Sequence, residues 1–298
     1  MLSGGSMALV TIITPTYNRK AKLVDLFESL QKQNNKNFEW LVVDDGSVDG
    51  TENRVMQFKE VAQFPVQYIR KSNGGKHTAL NLGIKHISTP LTFIVDSDDQ
   101  LLENGIELIE KYYFKYVIDS QVGAFAFLRC DEKLTPIVEM PVDEYIGSYI
   151  EERIKSERAG DMAEVFLTSV LKEFPFPEFV GEKFLSEDVV WIQIGLKYKF
   201  VFINQIVYQC EYLKDGLTYK DKVLKFASPL GSMMRGKMLM HKECGIRPRV
   251  KGAIIYDCYR REISRQIPDC LKIKKMADKI LVFILKPLGA YFNRRWKK

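Results

Sequence analysis

The chain has 298 residues, 46% of them hydrophobic and 28% charged, enough apolar material for a sizeable core and too much for wholesale disorder. Its net charge of +6 is uneven: residues 271–298 hold nine Lys and Arg against the single acid Asp278, leaving 35 basic and 37 acidic residues before them. That excludes a general basic field for nucleic acid, and five cysteines without a CxxC pair argue against a disulfide framework or a zinc site.

Residues 1–6 read as the remnant of an expression tag before Met7, and no secretory signal follows. No apolar run reaches the ~18–20 residues of a membrane span; the longest, 280–285, is closed by Lys279 and Lys286. A cytosolic protein is expected. Residues 9–14 (LVTIIT) form a short β-branched run and predict a buried strand. Leu23, Leu26, Phe27 and Leu30 recur at helical spacing, and residues 39–43 predict a second strand. A polar turn at 44–51 and another helical stretch lead to a third strand at 66–70. A helix at 78–87 and a fourth strand at 91–95 complete an alternation that predicts a parallel α/β sheet. Ligands of such sheets gather at the carboxyl ends of the strands, where every suggestive polar cluster of this half falls.

The second half is less regular. Strands are expected at 124–128, 136–140, 200–203 and 206–210, with helices at 101–111 and 186–197. Residues 145–158 are charged and read as helical or mobile, and 173–179 (EFPFPEF) as an aromatic, proline-punctuated loop. Beyond 215 the pattern is helical to the end.

Four clusters carry chemistry. Asp96, Ser97, Asp98 and Asp99 follow a fully apolar strand, so three carboxylates arrive at one sheet edge; a solvated turn or a divalent-metal site explains them. Asp44, Asp45, Gly46 and Ser47 end another buried strand, as a capping turn or as a carboxylate for the imide N–H of a uracil ring, with Pro15, Tyr17 and Asn18 beside the base. Gly74 and Gly75 before a helix let backbone amides approach an anion, and Lys76 adds a point charge; His77 reads as structural. The spacing is neither that of a P-loop nor GxGxxG. Ser186, Glu187 and Asp188 open a helix and, taken alone, read as dipole-complementing first-turn acids.

Together these stretches resemble the inverting family-2 glycosyltransferases of GT-A fold. The matching pieces are TIITPTYNR (11–19), VVDDGSVDGT (42–51), NGGKHTALNLG (73–83), FIVDSDD (93–99) and SEDVVW (186–191), in family order. The resemblance implies a Rossmann-like, mainly parallel nucleotide-diphospho-sugar transferase domain over 7–215, with a nucleotide-sugar-binding half at 7–100 and an acceptor half at 101–215. Residues 216–298 would be a C-terminal helical extension. It implies UDP-sugar binding by Pro15, Tyr17, Asn18, Asp45, Lys76, Asp96 and Asp99, with Asp45 on the uracil imide. Mn²⁺ or Mg²⁺ would be held by Asp98 with Asp96, and Asp188, beside Glu187, would be the catalytic base. The metal-site histidine of related enzymes has no match, so Tyr212, Asp215 or water would substitute. The acceptor would be a glycan hydroxyl, on a lipid-linked, polysaccharide or glycoprotein precursor. A sugar-nucleotide nucleotidyltransferase and a noncatalytic nucleotide- or carbohydrate-binding protein remain the alternatives.

In the basic tail, Ile273, Met276, Ile280, Ile284 and Leu288, with Ala277, Leu281 and Tyr291 beside them, form an apolar stripe at helical spacing, and Pro287 is expected to kink or end the helix near Lys286. The stripe predicts peripheral contact of residues 271–298 with an anionic membrane at the inner face of the cell, Phe292 and Trp296 lying at headgroup level. Packing on the chain's own domain, or on a second subunit of a homo-oligomer, is the alternative.

Overall fold

The computed structural model describes residues 8–156, 160–211, 221–264 and 266–297, so the segment read as a tag remnant lies outside it. Parallel strands β1 (Val10–Thr16) and β2 (Phe38–Asp44) place Ile13 beside Leu41 and Thr16 beside Asp44. Helix α1 (Lys22–Gln31) joins them; α2 (Thr51–Val61), β3 (Val66–Arg70), α3 (Lys76–His86) and β4 (Leu91–Ile94) follow. The parallel set runs β3-β2-β1-β4. Alternating side chains sort its two faces. Ile12, Trp40 and Val42 pack with Leu26 and Phe27 of α1 and Phe58 of α2, whereas Ile13, Leu41 and Val43 pack with Ala79, Leu80 and Ile84 of α3. With both faces covered, the polar turns are left at one open edge.

The second half departs further from expectation. It runs β5 (Gln100–Leu101), α4 (Gly105–Tyr116), β6 (Val122–Cys130), β7 (Glu144–Gly147), β8 (Met162–Leu167), α5 (Thr168–Glu173), α6 (Asp188–Gly195) and β9 (Lys199–Gln209). Among the described residues nine strands make one sheet, continuing from β4 through β8, β6, β9 and β5, with β7 on β9. β8, unanticipated, inserts antiparallel between β4 and β6. The strands expected at 200–203 and 206–210 are one: Ala126 pairs with Phe202 but Leu128 with Ile206, so an irregularity absorbs Asn204 and Gln205. The strand expected at 136–140 reduces to a bridge between Pro136 and Cys130. The stretch 145–158 begins in β7 and continues as a π-helix, Ile150–Lys155. The helix expected from 101 starts at Gly105, because Gln100 and Leu101 pair with β9.

Helices α7 (Asp221–Ala227), α8 (Pro229–Leu239), α9 (Ile246–Arg260) and α10 (Met276–Lys297) complete the chain. They share a core with the sheet: Met233, Ile255 and Tyr259 belong to one apolar cluster with Phe166 and Phe200. Both carboxylate oxygens of Glu182 accept first-turn amides of α8, from Leu230 and Gly231, at 2.8 Å each. α8 and α9 then touch backbone to backbone. A Cβ on Gly252 would lie 2.5 Å from the Gly236 carbonyl oxygen, and one on Gly236 would lie 2.7 Å from that of Gly252.

α10 runs through Pro287 instead of ending near Lys286. Tertiary contacts on either side of the proline hold it: Arg261 donates to the Lys286 carbonyl, Gly289 lies against Asp257, and Asn293 donates to the Cys258 carbonyl at 2.9 Å. Leu281, Leu285 and Trp296 pack toward the core, while Met276, Ile280, Phe283, Ile284, Leu288 and Tyr291 are exposed. Most of the expected stripe therefore faces outward, but Leu281 and Ile273 pack inward, as does Trp296, on which the half-buried Phe292 rests with ring centroids 4.9 Å apart.

Gly252→Ala should separate α8 from α9 and destabilise the fold by about 1–3 kcal/mol, the usual cost of overpacking. Thermal denaturation read by circular dichroism checks this, and an unchanged midpoint would refute the tight crossing.

Candidate active site

Lys76, the first residue of α3, reaches across the open edge of the sheet. Its ammonium lies 2.5 Å from Asp96 Oδ1 and 2.9 Å from Glu187 Oε1, joining the exit of β4 to the entrance of α6. The contact to Glu187 is ionic, without hydrogen-bond angles. Burial disfavours the charge on Lys76, but Asp96 and then Glu187 outweigh it and raise the ammonium's pKa. For Asp96 burial likewise opposes ionisation, and Lys76 overcomes it, holding the carboxyl below its usual range.

The neighbouring acids respond differently. Burial and then Asp96 push Asp98 up, although Arg19 stands 3.6 Å away. Burial and Asp96 push Asp99 up to about 6. Asp99 turns inward: it accepts from Tyr208 Oη at 2.7 Å and from the Glu211 amide at 2.9 Å, so it ties the acidic turn to β9. Asp98 and Asp96 stay partly exposed, each carboxylate 22% and 31% accessible respectively. Asp96 stands close enough to raise both neighbours, and the open carboxylates of Asp96 and Asp98 are oxygen donors of the kind a divalent cation takes. Among the described residues no group of three His, Cys, Asp or Glu side chains converges on one point. Tyr212 and Asp215 lie outside the described residues.

The turn after β2 is built around Asp45. Its Oδ1 accepts from Lys71 Nζ (2.8 Å) and the Gly74 amide (2.9 Å), and its Oδ2 from the Gly75 amide (2.7 Å) and Asn73 Nδ2 (3.1 Å). Four donors nearly saturate a carboxylate, and they engage the glycine amides that the sequence suggested for an anion. Gly75 serves close approach instead: at φ +96°, a Cβ there would sit 2.0 Å from the Lys183 carbonyl oxygen. Asn18, at φ 51°, braces the same turn: its Oδ1 accepts the Val48 amide and its own amide donates to Ser47 Oγ. Pro15 is buried within β1, and Tyr17 beyond it is 48% exposed. His77 is buried, with Nδ1 lacking a partner and the imidazole's pKa lowered by burial.

Asp188 opens α6. Its Oδ2 accepts from Arg235 Nε of α8 at 2.7 Å, while its buried Oδ1 has no hydrogen-bond partner. The aromatic loop does not reach this opening: Phe176 is buried against Trp191, and Phe174 and Phe179 pack on the same core.

Sequence reading missed Arg235, Lys71, Arg19 and a pair beneath the acids, Arg129 and Glu164. Arg19 and Lys71 lie within or beside matched stretches and were there to be found; Arg235 sits in a helix without a motif. Arg129 covers the Tyr208 ring at 4.3 Å. Burial pushes Glu164, on β8, up to about 7, with Arg129 and Arg153 opposing the rise.

The family model described as "Glycosyl transferase family 2" matches residues 11–160, half of the chain. Glycosyltransferase GlyA of Streptococcus pneumoniae is 33% identical over 116 residues, 39% of this chain and 16% of that protein. Abequosyltransferase RfbV of Salmonella typhimurium is 30% identical over 130 residues, 43% of this chain and 37% of its own length. The matched segments thus span well under half of these relatives. Among solved structures, Staphylococcus aureus TarS 1–349 in complex with UDP-GlcNAc superposes with a TM-score of 0.61 at 16% identity, covering 96% of this chain and 87% of that one. Mannosyltransferase PcManGT of Pyrobaculum calidifontis, in complex with GDP-Man and Mn²⁺, gives 0.58 at 16% identity over 99% and 89%. At such identities the likeness establishes the fold. The strand order, the motif positions and the family match together make this chain a member of glycosyl transferase family 2, a transferase of GT-A fold.

Proposed function

We propose that the chain transfers a sugar from a UDP-sugar to a hydroxyl of a glycan acceptor, with inversion at the anomeric carbon. Asp188 carries this reading: Arg235 fixes one carboxylate oxygen, and the other is buried without a donor. A bare buried acceptor atom costs about 1–3 kcal/mol, and an incoming hydroxyl supplies the missing donor. Asp188 would take that proton as the acceptor oxygen attacks the face opposite the leaving diphosphate. A carboxylate is a weak base, so the proton moves late, when the attacking oxygen is already acidified. Glu187 holds Lys76 beside it, and Lys76 would face the diphosphate side through Asp96.

Residues 7–215 would form the catalytic unit, completed by Arg235 of α8 on Asp188. On the donor side, exposed Tyr17 would stack on the base above Pro15 and Asn18, and Asp45 would accept the uracil imide in place of one of its present donors. Asp96 would border the ribose, whereas Asp99, expected to touch the donor, is buried on Tyr208 and the Glu211 amide and would hold the acidic turn instead. UDP-GlcNAc in TarS and GDP-Man with Mn²⁺ in PcManGT support a nucleotide-sugar donor. Mn²⁺ or Mg²⁺ would be held by Asp98 with Asp96, and such an ion, when bound, neutralises charge on a departing diphosphate.

We also propose that the outward apolar face of α10 rests on an anionic membrane at the cytoplasmic side. No helix among the described residues is long and apolar enough to cross a bilayer, but six large exposed apolar side chains on one helix, with basic residues along and beyond it, suit an interfacial anchor.

Three outcomes are expected. Asp98→Asn should abolish Mn²⁺-dependent UDP binding in calorimetry without lowering the melting temperature, since burial and Asp96 disfavour the charge it removes. Asp188→Asn should keep UDP affinity yet lose about 10²–10⁴-fold in transfer, scored as UDP release with a panel of UDP-sugars; near-normal turnover would return Asp188 to helix capping. Replacing Ile280, Phe283 and Ile284 together by Ser should abolish salt-sensitive flotation with anionic liposomes. A native chain that ignores such vesicles at low salt but sediments as a dimer would assign the face to a second copy.

A further inference from the structure

The two carboxylates read as metal ligands each face a cation of the chain itself. Lys76 Nζ lies 2.5 Å from Asp96 Oδ1, and Arg19 Nη1 lies 3.6 Å from Asp98 Oδ2. Against the cost of burial, the ionised Asp96 is stabilised by Lys76 and then by Arg129 and Arg19. A divalent cation arriving alone would add two positive charges beside them, and like charges a few ångströms apart repel strongly where water is scarce. The metal and the ammonium are rivals for Asp96. The ammonium also has a second partner. Glu187 Oε1 lies 2.9 Å from it, buried and without a hydrogen bond, so acceptor capacity is left unused there. The backbone beneath Lys76 is fixed, because Gly75 at φ +96° presses on the Lys183 carbonyl, so a change of partner falls to the side chain alone. Three rotatable donors on a flexible four-carbon stem suit that task.

We infer that Lys76 is an exchanging counterion, which occupies Asp96 while the donor site is empty and turns to Glu187 and the diphosphate when a divalent cation and a nucleoside diphosphate arrive together. The inference rests on the UDP-sugar reading above and adds how that site fills. The ammonium holds off free metal, and the diphosphate brings the negative charge that draws the ammonium away, so metal and nucleotide bind as a unit. Glu187 is then a positioning residue for Lys76 and not a second base. A fixed lysine and an exchanging one differ measurably. A fixed ammonium weakens metal binding and strengthens nucleotide binding independently, so its removal leaves unchanged the factor by which each ligand strengthens the other. An exchanging ammonium leaves the metal only when the diphosphate is present, so it contributes to that factor.

Calorimetry on the full chain, with Mn²⁺ alone, UDP alone and both, measures the mutual factor after correction for the complex the two form in solution. In the native chain UDP should strengthen Mn²⁺ binding and uridine, which lacks the phosphates, should not. Lys76→Met should bind Mn²⁺ alone about tenfold tighter and lose about tenfold of the mutual factor, whereas Lys76→Arg should stay near the native values. Where the Met variant does not fold, Glu187→Gln decides: it leaves the ammonium on Asp96, so Mn²⁺ alone should bind about tenfold more weakly and the mutual factor should rise. An unchanged factor in either folded variant, Mn²⁺ and UDP weakened together in Lys76→Met, or an equal effect of uridine overturns the inference. Failure of the native chain to bind UDP with Mn²⁺ present overturns the donor reading beneath it.

Discussion

The ammonium of Lys76 is the interaction on which the site depends. It draws together Asp96 and Glu187, which leave the fold on separate elements, β4 and α6. Removing Lys76 would leave two partly buried carboxylates uncompensated, at a cost of up to about 3–5 kcal/mol, whereas removing either acid leaves the ammonium paired with the other. The glycines before Lys76 serve the same end. Gly75 presses against the Lys183 backbone, and its amide joins Gly74's on Asp45, so loops at 45, 75 and 183 are clamped before any ligand arrives. An opening lined by carboxylates is kept from flying apart by cations placed among them: Lys71 at Asp45, Lys76 at Asp96, Arg19 at Asp98 and Arg235 at Asp188.

The sequence made the parallel half legible because there each buried run is short, β-branched and followed by a polar turn, so period and punctuation agree. The second half, where parallel and antiparallel pairs mix, obeys other rules. β8 reads MAEVFL, with Glu164 interrupting its apolar run, and its place between β4 and β6 depends on distant partners, Phe93 and Phe125, both of which pair with Val165. The polar Asn204-Gln205 pair looked like a break between two strands because a bulge is invisible without its partner. The acidic motifs were readable, but not their partners. A lysine or arginine in a helix carries no local mark of the carboxylate it will meet, as Arg235 shows.

Charge counted by segment misled in the same way. The chain before residue 271 is almost neutral in sum, yet it separates its charges, gathering acids at the carboxyl ends of the parallel strands and cations behind Asp188. A net count near zero is what separated charges of opposite sign leave behind.

The C-terminal helices therefore cannot be treated as an appendage to a finished catalytic unit. Glu182 pins the start of α8, which presents Arg235; the glycine crossing sets α9 on α8; Gly289 and Asn293 set α10 on α9. Each contact leaves no slack: a backbone touching a backbone, or a glycine against a carboxylate, tolerates no sliding by even a methyl group. The outward face of α10 and the guanidinium on Asp188 are thus connected through three close-packed steps. A surface that held α10 would therefore be felt, through those steps, at Arg235 and at the Asp188 carboxylate it fixes.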